Sequence, residues 1–141
     1  MSDLNKPDFG AGNSHTADPS AYMLVYATFP SLASAESAGG ALVDSALAAC
    51  VNILPGMVAI YRWQGKLHRD QEVVMIVKTR AALVDAVIAE TLSAHPYDNP
   101  AILAVPVVAG ASAYLNWILA QTAVPSRRED GSGSSTSKIG Q

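Results

Sequence analysis

Hydrophobic positions alternate between two spacings along the middle of the chain, and polar stretches bound them. Tyr22–Thr28 (YMLVYAT) is a short apolar, aromatic run that reads as a buried strand. Ala35, Ala38, Leu42, Ala46 and Ala49 then recur every three or four residues, as on one face of a helix. Gly39-Gly40 interrupts that helix at roughly 1 kcal/mol per glycine relative to alanine, which predicts close approach of helix to sheet. Two strand-like runs follow, Cys50–Trp63 and Leu67–Thr79, separated by Gln64-Gly65-Lys66; Pro55-Gly56 predicts a bulge or bend in the first. Leu83, Val84, Val87, Ile88, Thr91 and Leu92 form a second helical stripe, with Thr79 as the expected N-cap and His95-Pro96 as the stop. Ala101–Val108 reads as a fourth strand. Ser112 opens a short terminal helix carrying Tyr114, Leu115, Ile118 and Leu119.

The order is βαββαβ plus a final helix, an α+β pattern. Split βαβ units of this order form the ferredoxin-like sandwich, an antiparallel sheet with both long helices on one face. The other face is then left uncovered by the chain's own helices, and covering it predicts self-association.

Treating Gln64-Gly65 as a two-residue turn sets Trp63 opposite Lys66, Tyr61 opposite His68 and Ala59 opposite Asp70. Strand alternation places Tyr61, Trp63, Lys66, His68, Asp70, Glu72, Val74, Ile76 and Lys78 on one side. Val58, Ile60, Leu67, Val73, Met75 and Val77 take the other, with Arg62 and Arg69 near the tip. Tyr, Trp and Arg mixed in this way are enriched at interfaces, so the tip is expected to reach a neighbouring subunit. Glu72 and Lys78 share a side but stand about 20 Å apart at ~3.3 Å per residue, so each needs its own partner.

Composition narrows the setting. Half of the 141 residues are hydrophobic and 15% are charged, enough for one packed domain. Residues 1–20 and 125–141 are polar without an apolar period and read as disordered tails, leaving residues 21–124 as the folded domain. A formal charge of −3, an isoelectric point near 5.4 and no central basic cluster argue against nucleic acid. No apolar run of about eighteen residues suggests a membrane span, and no h-region marks a secretory signal. The lone Cys50 fits a reducing cytoplasm. The nucleophile, zinc, P-loop and dinucleotide signatures are all missing, so a binding protein is expected rather than an enzyme. A Cys50–His95–Glu72 grouping is the one set that could serve as nucleophile, base and orienter, should the fold bring it together.

Five segments together carry a family resemblance: Leu47-Ala48-Ala49-Cys50-Val51-Asn52, Tyr61-Arg62-Trp63-Gln64-Gly65-Lys66, Glu72-Val73-Val74-Met75-Ile76-Val77-Lys78-Thr79, His95-Pro96-Tyr97-Asp98-Asn99-Pro100 and Tyr114-Leu115-Asn116-Trp117. In this order and spacing they resemble the CutA divalent-cation tolerance family over about a hundred residues. The resemblance implies a ferredoxin-like homotrimer built like the PII signalling trimers, whose hairpin strands extend a neighbour's sheet. It implies an association with divalent metals, chiefly copper, and no particular reaction. A nucleotide or other small anion bound in clefts between subunits is the alternative ligand.

Some family members carry proposed copper ligands at a Cys ending the first strand and a His-His pair before Pro-Tyr. The matching positions here are Ala27 and Ala94, leaving His95, with Cys50 as a second candidate ligand. His95 also suits a capping role at a helix end, and Cys50 an inert buried one. Glu72, Lys78 and Tyr97 are the candidate ligand cleft, or Glu72 and Lys78 pair across subunits. Tyr61, Trp63 and Trp117 are expected to be trimer-interface packing anchors.

Overall fold

The computed structural model describes residues 21–124; the two tails expected at 1–20 and 125–141 lie outside the described residues. Eight elements follow in order: β1 (Tyr22–Phe29), α1 (Leu32–Asp44), β2 (Cys50–Trp63), β3 (Lys66–Arg80), a 3-10 turn (Ala81–Leu83), α2 (Val84–Ala94), β4 (Ile102–Pro106) and α3 (Ser112–Gln121). The four strands form one antiparallel sheet in the order β2-β3-β1-β4, as the βαββαβ pattern predicts.

The sheet's two faces follow from its register. Val25 lies opposite Val77 and Ala104, and Ala27 opposite Met75 and Ile102. Of these, all but the exposed Ala104 join Phe29 and Val73 against α1 and α2, whose Ala35, Ala38, Leu42 and Val87 complete the main core. On the other face, Tyr26 lies opposite Ile76 and Leu103, and Leu24 opposite Lys78 and Val105. Leu103, Val105 and Leu54 on that face are 61%, 47% and 49% exposed. Among the described residues, one end of it is covered, where Leu115 and Ile118 of α3 pack against Tyr22 and Ala49.

α1 starts at Ser31, whose hydroxyl accepts the N–H of Ser34 at 3.1 Å. The predicted close approach falls at Gly39, where a Cβ would stand 2.8 Å from Val51 Cγ2. α1 ends earlier than its apolar spacing predicts. Ala46 adopts a left-handed φ of 61°, and the N–H groups of Leu47 and Ala48 return to the Leu42 carbonyl. Thr79 is not the N-cap of α2. It lies buried within β3 and donates its hydroxyl to the Leu47 carbonyl at 2.7 Å, and the helix starts without a side-chain cap.

The hairpin adopts the predicted register, with Trp63 opposite Lys66, Tyr61 opposite His68 and Ala59 opposite Asp70. Gln64 and Gly65, at φ 52° and 80°, form the two-residue turn. A register shift between Leu54 and Met57, with Gly56 at φ 85°, is the predicted bulge. Beyond it β2 and β3 leave the body of the domain, and Ile60 and Leu67 are 65% and 69% exposed.

Candidate functional site

The segment after α2 wraps the end of β1 and carries His95 and Tyr97. The Tyr97 backbone N–H donates to His95 Nδ1 at 3.1 Å, so Nε2 carries the ring hydrogen and donates it to the Thr28 carbonyl at 2.6 Å. The ring also stacks on Phe29, with centroids 4.3 Å apart. Both nitrogens are therefore committed, and the His95 backbone N–H closes α2 on the Leu92 carbonyl.

Tyr97 reaches on to Glu72, donating its phenol to Oε2 at 3.4 Å. Next along the same face, Tyr61 donates its phenol to Asp70 Oδ2 and stacks on His68 with centroids 5.2 Å apart. Two phenols and two carboxylates thus form one row from the body of the domain onto the hairpin. The hydrogen bond to Asp70, then desolvation and the neighbouring negative charges, push the Tyr61 phenol up to about 12. Partial burial, then the Glu72 carboxylate, raise Tyr97.

Lys78 is on this face but at its other end. Its Nζ donates to the Tyr114 hydroxyl at 3.2 Å and lies 5.3 Å from that ring's centroid, a cation–π contact. Tyr114 in turn stacks on Trp117, centroids 5.4 Å apart. Of the three expected cleft residues, one chain joins Glu72 to Tyr97 and holds Lys78 apart. Six residues of β3 separate Glu72 from Lys78, about 20 Å.

Cys50 opens β2 opposite Lys78, at the edge of the small cluster under α3. His95 bonds Thr28, four residues further along β1 than Leu24, the residue level with Lys78. Cys50 and His95 therefore stand about 13 Å apart along the strand direction, and the Cys50–His95–Glu72 grouping does not assemble within one chain. Ala27 is fully buried in the main core, and Ala94 is exposed at the end of α2. Among the described residues no three His, Cys, Asp or Glu side chains converge to hold a metal. The donors among the described residues of a single chain do not fit a copper site.

Two residues with structural roles here escaped sequence reasoning. Arg80 donates from Nε to the Thr122 hydroxyl at 2.9 Å and from Nη2 to the Leu119 and Thr122 carbonyls at 2.6 and 3.2 Å, tying β3 to the end of α3. Asp70 anchors Tyr61, a partnership visible in the sequence only as a shared face. Trp63 and Trp117 are 54% and 40% exposed and do not meet in one chain; twelve residues of β3, about 40 Å, separate the tip from Lys78.

The sequence profile described as "CutA1 divalent ion tolerance protein" matches residues 23–121, nearly the whole of the described residues. The chain belongs to the CutA1 divalent ion tolerance family. The divalent-cation tolerance protein CutA of Thermus thermophilus is 41% identical over 99 residues, covering 70% of this chain and 96% of that protein. The chloroplastic protein CutA 1 of rice is 38% identical over 96 residues, 68% of this chain. This chain spans about half the length of the rice, Arabidopsis and mouse CutA proteins, at 54%, 53% and 56%. The crystal structure of CutA from Xylella fastidiosa superposes with a TM-score of 0.71 at 43% identity, covering 72% of this chain and 98% of that one. CutA1 from Oryza sativa gives 0.71 at 37% identity, covering 73% and 94%. The ferredoxin-like fold is thus that of the CutA1 structures.

Proposed function

We propose that this CutA1-family chain works as a homotrimer that responds to divalent cations by binding rather than by catalysis. The observation that carries the reading is the bare sheet face. Leu54, Leu103 and Val105 are about half or more exposed on it, and a hairpin with two exposed faces projects beyond it. Surfaces of this kind are covered by a partner, and repetition of one chain in a closed ring is the economical way to cover them. Tyr61, Trp63 and Trp117 are the aromatic anchors of that contact. The cleft between copies is lined by Glu72 from the middle of β3, Tyr97 from the segment after α2, and Lys78 near the end of β3.

The described residues of one chain offer copper too few converging donors, so cation binding in this reading belongs to the assembly, where symmetry multiplies each donor, Cys50 among them; His95 joins only by giving up the Tyr97 N–H at Nδ1. A nucleotide or small-anion cleft has weaker support, because its cation, Lys78, is already engaged by Tyr114. A reducing cytoplasm suits the unpaired Cys50.

Calorimetric titration of Cu²⁺ into the full chain and into Trp63→Ala tests the reading. Trp63→Ala is expected to weaken assembly by about 2 kcal/mol or more, and the heat of cation binding should fall in step with assembled mass. Cation heat from the dissociated variant equal to that of the wild type, or none from an assembled wild type, overturns it.

A further inference from the structure

Ala27 and Ala94 place methyl groups at family positions proposed for copper, and His95 is the donor that stays beside them. Ala27 is fully buried in the main core and Ala94 is exposed at the end of α2, so neither offers a metal anything. What His95 does is then decided by the groups around its ring.

The local sequence dictates how that ring is held. A residue before proline is extended, and His95 has φ −85° and ψ 138°. Pro96 has no N–H to offer, so the next backbone donor is that of Tyr97. Nδ1 accepts it at 3.1 Å, as a side-chain oxygen does in an Asx turn. The ring hydrogen therefore sits on Nε2 and is donated to the Thr28 carbonyl at 2.6 Å. Thr28 gives its own N–H to the Ala101 carbonyl at 3.3 Å, so the imidazole completes the pairing of β1 just before β4 begins. Phe29 takes one face of the ring.

A metal on Nε2 would orphan the carbonyl of the buried Thr28, and a metal on Nδ1 would release the Tyr97 N–H. The second loss matters for the cleft. Tyr97 donates its phenol to Glu72 Oε2 at 3.4 Å, and its ring lies 5.0 Å from that of His95. The backbone step from His95 to Tyr97 thus decides where this phenol meets β3.

We infer that His95 is a positioning residue and not a metal ligand: its neutral ring braces the loop after α2 against the end of β1 and so sets the Tyr97 phenol on Glu72. The inference rests on the cleft reading above and takes His95 out of the donors of that cleft.

His95→Asn and His95→Ala in the full chain separate the two roles. The asparagine oxygen stands where Nδ1 does and restores an acceptor for the Tyr97 N–H, but an amide does not replace imidazole as a copper ligand. Cu²⁺ alone is titrated into the wild type and His95→Asn and followed by electron paramagnetic resonance. Affinity and nitrogen hyperfine pattern should match. A loss of at least about tenfold in affinity, or a lost nitrogen coupling, overturns the inference. NMR of ring-labelled tyrosine reads the positioning. Glu72→Gln should shift the Tyr97 signal in the wild type and in His95→Asn, and leave it unmoved in His95→Ala. An equal response in all three backgrounds, or none in His95→Asn, overturns the brace. A wild type that takes up no Cu²⁺ overturns the cation reading, while the tyrosine signals still decide the brace, so the two failures are distinguishable. Circular dichroism checks each fold. Should His95→Asn unfold, imidazole nitrogen-15 NMR of the wild type replaces it: the two His95 nitrogens, one protonated and one bare, should not move when Zn²⁺ is added, and movement of either overturns the inference.

Discussion

His95 holds the Thr28 carbonyl at 2.6 Å from the far side of α2, sixty-seven residues away in sequence. Replacing His95 by Ala leaves that carbonyl unpaired and removes the stack on Phe29. The expected loss is roughly 2–4 kcal/mol of stability, read as a lower denaturant midpoint at an unchanged slope. A midpoint within error of the wild type would show that the contact is dispensable.

The paired glycines of α1 should respond in opposite directions. Gly39→Ala drives a methyl to 2.8 Å from Val51 Cγ2 and 3.2 Å from Met75 Sδ, whereas a Cβ at Gly40 meets open space. Thermal unfolding should show Gly39→Ala destabilised by roughly 1–3 kcal/mol. Gly40→Ala should be stabilised by about 0.5–1 kcal/mol. Equal shifts from both variants would contradict the packing described.

Arg80→Met removes three hydrogen bonds from the end of α3 while keeping most of the side chain's bulk. Amide exchange should accelerate selectively in Ser112–Gln121, with a global cost of about 2 kcal/mol. Faster exchange spread evenly over the sheet would mean that Arg80 supports the core and not this helix.

Tyr61, pushed up to about 12, gives an alkaline signature. The unfolded phenol ionises first, near 10. The folded state therefore holds the proton longer, and this contribution to stability is intact below pH 10 and lost as pH rises through about 12. Ultraviolet titration of the phenolates should show a component near 12 that Tyr61→Phe removes, leaving the raised Tyr97 in place. Its survival in that variant would assign it elsewhere.

Much of the fold was legible because it rests on local rules. The Gln64-Gly65 turn dictates the hairpin register, and alternation sorted Val73, Met75 and Val77 from Val74, Ile76 and Lys78. Two boundaries were not. The helical spacing runs on to Ala46 and Ala49, but Ala46 turns into the left-handed region and ends α1. Thr79 has the right chemistry for a cap but spends its hydroxyl on Leu47. The site was legible in its residue types more than in its pairings. Glu72 with Tyr97 and Lys78 with Tyr114 are contacts across 25 and 36 residues, set by how the loop after α2 and α3 fold back on the sheet. No periodicity in the chain encodes them.

Self-assembly is the claim on which the cleft and the cation response both rest. Light scattering coupled to size-exclusion chromatography, on the full chain at micromolar concentration, measures it directly. The account predicts a mass three times that of the 14.7 kDa chain. A stable species of 14.7 kDa would contradict it.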